Sequence, residues 1–227
     1  MGTLRIISHE GFRFTDRNQA GRLLAQELIS LKGQYAVVLG IPRGGVVIAA
    51  EISKAIDGEL DIALAHKIGM PGRGELALGA VAENGTAFID ATAVRQFGIS
   101  ETYIQQERAR QMEMLSRRAE LVRRVRPKIP LKGRMVVITD DGIATGATTL
   151  AAISAIKIES PQRVIGAFPV GSELTLRAIA QQVDELICLS SPLNFAAVGQ
   201  FYMHFDQVSD QEVLDILARS MAKAGQR

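Results

Sequence analysis

Cysteine, tryptophan and histidine are scarce: the 227 residues contain one Cys, no Trp and three His. A lone cysteine excludes a disulfide framework and a cysteine-based zinc site. It is Cys188, in the apolar run Leu186-Ile187-Cys188-Leu189. It therefore reads as a core residue, and the compartment as reducing. His66 has no second ligand at metal spacing and reads as structural. No apolar run approaches the length needed to span a membrane. The N-terminus, with Arg5, His9, Glu10 and Arg13 close together, lacks a secretory apolar region, so a cytoplasmic location is expected. A net charge of +2 sets up no strong field of one sign, and nothing global demands nucleic acid or a membrane surface.

What is present is 47% hydrophobic and 22% charged, enough for one globular α/β domain with attachments. The stretch that organises the rest is 135–150, MVVITDDGIATGATTL. Met135-Val136-Val137-Ile138 suits a strand buried on both faces. Two carboxylates follow, Asp140 and Asp141, then a loop of Gly, Ala and Thr, then helical spacing from Leu150. Gly142 and Gly146 allow close backbone approach, and the helix N-terminus with Thr145, Thr148 and Thr149 offers donors to an anion. A phosphate suits that cradle. The paired carboxylates would repel it, so they fit hydroxyl groups beside it, as in a sugar phosphate. A P-loop would need Lys where Ala147 stands. A helix cap would need only one Asp and no Thr-rich loop.

These residues resemble the phosphoribosyl-pyrophosphate (PRPP) signature of type I phosphoribosyltransferases. The resemblance implies that Asp140 and Asp141 hold the ribose 2- and 3-hydroxyls. It implies that Ile143, Ala144, Thr145, Gly146, Ala147, Thr148 and Thr149 cradle the 5-phosphate. Where many purine enzymes of the family carry an Asp near the incoming base, this chain has Ala144.

Upstream, Asp16 is a candidate N-cap for a covering helix with Ala20, Leu23, Leu24, Leu28 and Leu31 at helical spacing. A buried strand over 36–41 runs into Pro42-Arg43-Gly44-Gly45 and then a helix over 46–52. Arg43 offers a multidentate cation for phosphate oxygens. Arg43-Gly44-Gly45 resembles the pyrophosphate loop of xanthine- and guanine-type enzymes. A strand over 60–65 is expected to end at His66-Lys67, placing Lys67 where it could neutralise pyrophosphate. The run 68–75, with Gly69, Gly72, Arg73, Gly74 and Glu75, has little apparent packing capacity and is similar in place to the flexible lid that closes over PRPP.

A hairpin is expected across Glu83-Asn84-Gly85, between strands at 76–82 and 86–89. A helix from Ser100 to Arg126, roughly 39 Å at 1.5 Å per residue, carries Ile104, Met112, Leu115, Ala119 and Val122 on one stripe. Its arginines (Arg108, Arg110, Arg117, Arg118, Arg123, Arg124 and Arg126) could bind a nucleic-acid backbone. Interleaved Glu107, Glu113 and Glu120 favour an ordinary solvated helix.

Strands at 163–170 and 185–189, with a helix starting near Ser172, complete an alternating pattern. The segment 191–202 holds Phe195, Val198, Phe201 and Tyr202. In the family this place is a hood over the base, and Phe195 or Tyr202 could stack on a ring. A closing helix starts at Ser209-Asp210.

The expected fold is α/β: a doubly wound, mainly parallel sheet with a core like that of type I phosphoribosyltransferases. One domain over 1–227 is expected, with the core at about 1–89 and 131–190, a helical insertion at about 90–130 and a hood and tail at about 191–227. The resemblance implies transfer of phosphoribose from Mg-PRPP to a nitrogen acceptor, with Arg43, Gly44, Gly45 and Lys67 stabilising departing pyrophosphate. It also implies Mg2+ carried by PRPP without a dedicated protein cage, and a homodimer. The alternative is a non-catalytic PRPP sensor that binds nucleic acid through the arginine-rich helix.

Overall fold

Strand alternation sorts the core into two halves. The computed structural model describes residues 2–224, with the backbone alone at 73–76 and 222–224. Six parallel strands form one sheet in the order β1-β9-β8-β7-β2-β3: β1 (Thr3–Ser8), β2 (Val37–Gly40), β3 (Glu59–Ile62), β7 (Met135–Thr139), β8 (Arg163–Val170) and β9 (Glu185–Ser190). Val38, Val137, Ile165 and Ile187 point to the face covered by α1 (Arg17–Glu27), α2 (Gly44–Ile56) and α7 (Asp210–Ala224). Val37, Val136, Val164, Leu186 and Cys188 point to the face covered by α5 (Ala147–Ile158) and α6 (Glu173–Ala180). Continuous apolar strands between two helical layers are what a parallel sheet requires.

The expected strand at 60–65 is two pieces. β3 ends at Ile62, and β4 (Ala65–Met70) begins a separate antiparallel sheet with β5 (Arg73–Ala82) and β6 (Ala87–Ile89). The break was invisible in composition because Leu60, Ile62, Ala63, Leu64 and Ala65 are all buried, on both sides of the break and within it. Its cause is polar. The Asp61 carboxylate accepts from the amides of Ile62 (2.8 Å) and Ile129 (3.0 Å), fixing the chain where it leaves the sheet.

The small sheet packs Ile68, Met70, Leu78 and Val81 against α3 (Ala91–Gln96) and α4 (Glu101–Val125). Helix α4 fulfils the long-helix expectation, capped by Ser100 and burying Ile104, Leu115 and Val122. β1 and α3 were not read from the sequence. β1 is an edge strand whose alternation, with Leu4 and Ile6 packed inward, is blurred by the exposed Ile7.

Helix α7 lies away from the hood, against α2, β3 and α4. The tail is therefore split: only the part before Val208 stands near the loop ends described next.

Candidate active site

The sheet order reverses between β2 and β7: β3 lies outside one, and β8, β9 and β1 lie outside the other. Loops leaving two such strands diverge and open a crevice at their carboxyl ends. The loop after β2 carries Arg43, Gly44 and Gly45, and the loop after β7 carries Asp140 and Asp141, so the two motifs meet here. Their approach is close. A Cβ on Gly44 would stand 1.9 Å from Asp141 Oδ2, and one on Gly45 would stand 2.8 Å from Asp140 Cα. Gly45 is required by contact distance, because its neighbours are backbone; at Gly44 an added Cβ would force the Asp141 carboxylate and Arg17 to move. Arg43 is the N-cap residue of α2, preceded by a cis Pro42–Arg43 peptide.

The acidic pair is held from several sides. The amide of Asp141 donates to Asp140 Oδ1 (2.8 Å), and Arg17 Nε donates to Asp141 Oδ2 (2.8 Å). Burial, followed by the neighbouring charge of Asp141, pushes the Asp140 carboxyl well above the usual range, against the opposing pull of backbone amides and Arg17. Burial also raises Asp141, while the Arg17 guanidinium pulls it down.

The following loop is braced by α6 and the end of β8. Ile143 donates its amide to Val170 O (2.8 Å), and Thr175 Oγ1 donates to Ala144 O (2.8 Å). Gly146 is the N-cap of α5 with φ +73°, a left-handed conformation that favours glycine. The first-turn amides of Ala147, Thr148 and Thr149 have no partner within the helix and point out of its N-terminus. Ala144 and Thr145 are exposed, Thr148 is half-buried, and the Thr149 side chain is buried. The loop thus presents backbone amides with the side chains of Thr145 and Thr148.

Lys67 is not at a strand end. It is the third residue of β4, paired with Ala80. Alternation places it opposite His66 and Ile68, on the face where Ala80 packs toward α5. His66 Nδ1 lies 3.3 Å from Gln111 Oε1 on α4, and burial lowers its pKa.

The lid segment is a hairpin rather than an unpacked loop. Ile68 and Met70 are buried, Gly69 pairs with Ala77, and Gly72 turns the chain with φ +68°. Arg73, Gly74 and Glu75 belong by backbone to β5, and their side chains lie outside the described residues.

In the hood, Val198 sits where a Cβ on Gly142 would meet it at 2.6 Å. Phe195 is half-buried and stacks on Phe201 at 5.4 Å. Tyr202 corrects the expectation of a ligand-stacking ring: it is 2% exposed, between Phe14 (5.3 Å) and Phe205 (4.9 Å), and its hydroxyl donates to Asp141 O (2.6 Å).

Sequence reading missed Arg17. The available signal was its place directly after the Asp16 cap, where the helix dipole disfavours a cation unless a carboxylate answers it.

The arginines of α4 find partners within the chain. Arg123 bridges Asp61 (2.6 Å) and Glu83 (2.9 Å), Arg110 pairs with Glu107 (2.8 Å), and Arg108 donates to Gly85 O (2.8 Å). Arg117 pairs with Glu113, Arg118 with Asp210 and Arg124 with Glu120, and Arg126, the C-cap residue just past the helix, with Glu59. Among the described residues, no helix is long and apolar enough to cross a membrane.

A parallel sheet whose order reverses between two strands, one leading to an acidic pair and the other to a glycine-bearing loop packed against it, defines a class, and sequence comparison agrees. Residues 15–205 match the phosphoribosyl transferase domain, and the chain belongs to that family. Two relatives from Mycobacterium tuberculosis, strains CDC 1551 and H37Rv, each named "putative phosphoribosyl transferase", are 43% identical over 215 residues. These matches cover 93% of this chain and 48% of each relative, so the chain spans about half the length of the curated relatives it matches. The crystal structure of TT1426 from Thermus thermophilus is 46% identical, covers 92% of this chain and 99% of its own, and superposes with a TM-score of 0.81.

Proposed function

We propose that the protein is a PRPP-dependent phosphoribosyltransferase that joins the anomeric carbon of phosphoribose to a nitrogen acceptor, such as a nucleobase, and releases pyrophosphate. The C–N bond forms as the C–O bond to pyrophosphate breaks, and pyrophosphate leaves with the bonding electrons. The observation that supports this reading is the meeting of Gly44 and Gly45 with Asp140 and Asp141, which the reading takes as a pyrophosphate loop beside a ribose-binding pair.

In this reading Asp140 and Asp141 accept from the ribose hydroxyls and stabilise positive charge developing on the ring. The loop from Ile143 to Thr149 holds the 5-phosphate on backbone amides at the start of α5. Arg43, the amides of Gly44 and Gly45, and Lys67 on β4 neutralise departing pyrophosphate. In this reading the β4–β5 hairpin, with Gly69, Gly72, Arg73, Gly74 and Glu75, acts as the lid that excludes water from the reacting carbon. Phe195 and Val198 border the acceptor side, and Tyr202 supports it from within.

Magnesium would arrive on PRPP oxygens and water, a ligand set suited to this hard cation. Among the described residues, no group of three or more His, Cys, Asp or Glu could hold a metal alone. The family resemblance supports a homodimer and a cytoplasmic setting. The sensor reading has less support: the family match is to a transferase domain, and Arg123 is committed to Asp61 and Glu83.

The test is pyrophosphate release from Mg-PRPP over a panel of purines, pyrimidines and simple amines. Release that depends on one acceptor supports the reading, and absence of release with all of them opposes it.

A further inference from the structure

The segment before α1 and the hood segment after β9 are stitched together beside the acidic pair. Phe14 donates its amide to Phe201 O (2.8 Å), Met203 to Phe14 O (2.8 Å) and His204 to Thr15 O (2.9 Å). Asp16 then caps α1 by accepting from Gln19 N (2.7 Å), which sets Arg17 as the first helical residue.

From there Arg17 reaches three groups at once. Its Nε donates to Asp141 Oδ2 (2.8 Å), its Nη1 donates to Asp206 O (2.8 Å), and its guanidinium carbon lies 4.0 Å from the centroid of the Phe205 ring. The side chain is 11% exposed. A cation in the first turn opposes the helix dipole, so this placement is sustained by its partners.

Resting on the transferase reading, we propose that Arg17 is a positioning residue that joins the Asp141 carboxylate to the hood segment at Phe205–Asp206, so that the ribose-binding acids and the hood are seated as one unit. The planar fork lets Arg17 donate to a carboxylate and a carbonyl in different directions while its face lies on an aromatic ring. Lysine would supply the charge beside Asp141 without the hood contacts. The two parts of the role are therefore separable.

The test uses the full chain as wild type, Arg17→Ala and Arg17→Lys. Hydrogen exchange is followed at the amides of Met203 and His204 in ligand-free protein, and Mg-PRPP affinity is measured by calorimetry. In Arg17→Ala, exchange at both amides is expected to accelerate and PRPP affinity to fall, each by about tenfold or more. Arg17→Lys is expected to exchange as fast as Arg17→Ala while binding PRPP within about threefold of wild type, a rescue that general loss of structure would not give. Wild-type exchange at both amides in both variants would overturn the proposal. Should Arg17→Ala fail to fold, Arg17→Lys decides alone. Should wild type not bind Mg-PRPP, the transferase reading falls, and exchange in the ligand-free proteins still decides for or against the link between Arg17 and the hood.

Discussion

Gly44 and Asp141 lie so close that a single added carbon on the glycine would stand 1.9 Å from the carboxylate oxygen. A loop after one strand has thus been fitted against an acid after its neighbour. Gly44→Ala is predicted to displace Asp141 and reduce kcat/KM by about 100-fold, the cost of a roughly 1 Å misplacement. Gly11→Ala, where an added Cβ meets nothing within 4 Å, is the control and is expected to match wild type. Steady-state kinetics on both variants check this, and a fully active Gly44→Ala would refute it.

The acidic pair has a pH signature. Both carboxyls titrate above the ordinary 3.8, so the folded chain binds protons where the unfolded chain has released them. Stability from these groups is then fully present below 3.8 and is lost as pH rises through the folded midpoints. Asp140→Asn removes the share of this loss that belongs to Asp140. The variant is predicted to melt above wild type at pH 7–8, with the gap closing as the pH falls toward the carboxylate range, and to be inactive. Paired melting curves test it, and a variant less stable than wild type at pH 7–8 would contradict it.

Asp61 shows the opposite economy, a carboxylate used for structure. It is 1% exposed, and one oxygen meets Arg123 while the other takes the Ile129 amide. Asp61→Ala would remove one of the two carboxylates that hold Arg123 and leave the buried Ile129 amide unmet, a change that costs about 1–3 kcal/mol for the orphaned donor alone. Denaturant unfolding should show a large loss for Asp61→Ala. It should show almost none for Arg117→Gln or Arg124→Gln, whose ion pairs are on the surface.

Cys188 is fully buried, and burial pushes its thiol up to about 12. At neutral pH it is predicted to resist thiol reagents in the native protein and to react at once in denaturant. Rapid native-state labelling would contradict the core placement.

The main sheet was legible because its strands are buried on both faces, which leaves unbroken apolar runs such as 36–41 and 135–138. The two loops were legible because close backbone approach and a left-handed turn call for glycine, as at Gly44, Gly45 and Gly146. What escaped was set by tertiary context. The break after Ile62 depends on the Asp61 hydrogen bonds, one of which reaches Ile129, 68 positions away. Lys67 was displaced from a strand end to a strand interior by the same break. Tyr202 resembled a stacking ring because an aromatic's burial cannot be read from its neighbours in sequence. Arg17, 124 residues from Asp141, left only the faint trace of a cation at a helix start.

The measurement that tests the central claim most directly is pyrophosphate release from Mg-PRPP over purines, pyrimidines and simple amines, with Asp140→Asn/Asp141→Asn alongside. The predicted result is release that requires one acceptor and disappears in the double variant. Release that the double variant matches, or none from wild type with any acceptor, would contradict the assignment of this crevice to phosphoribosyl transfer.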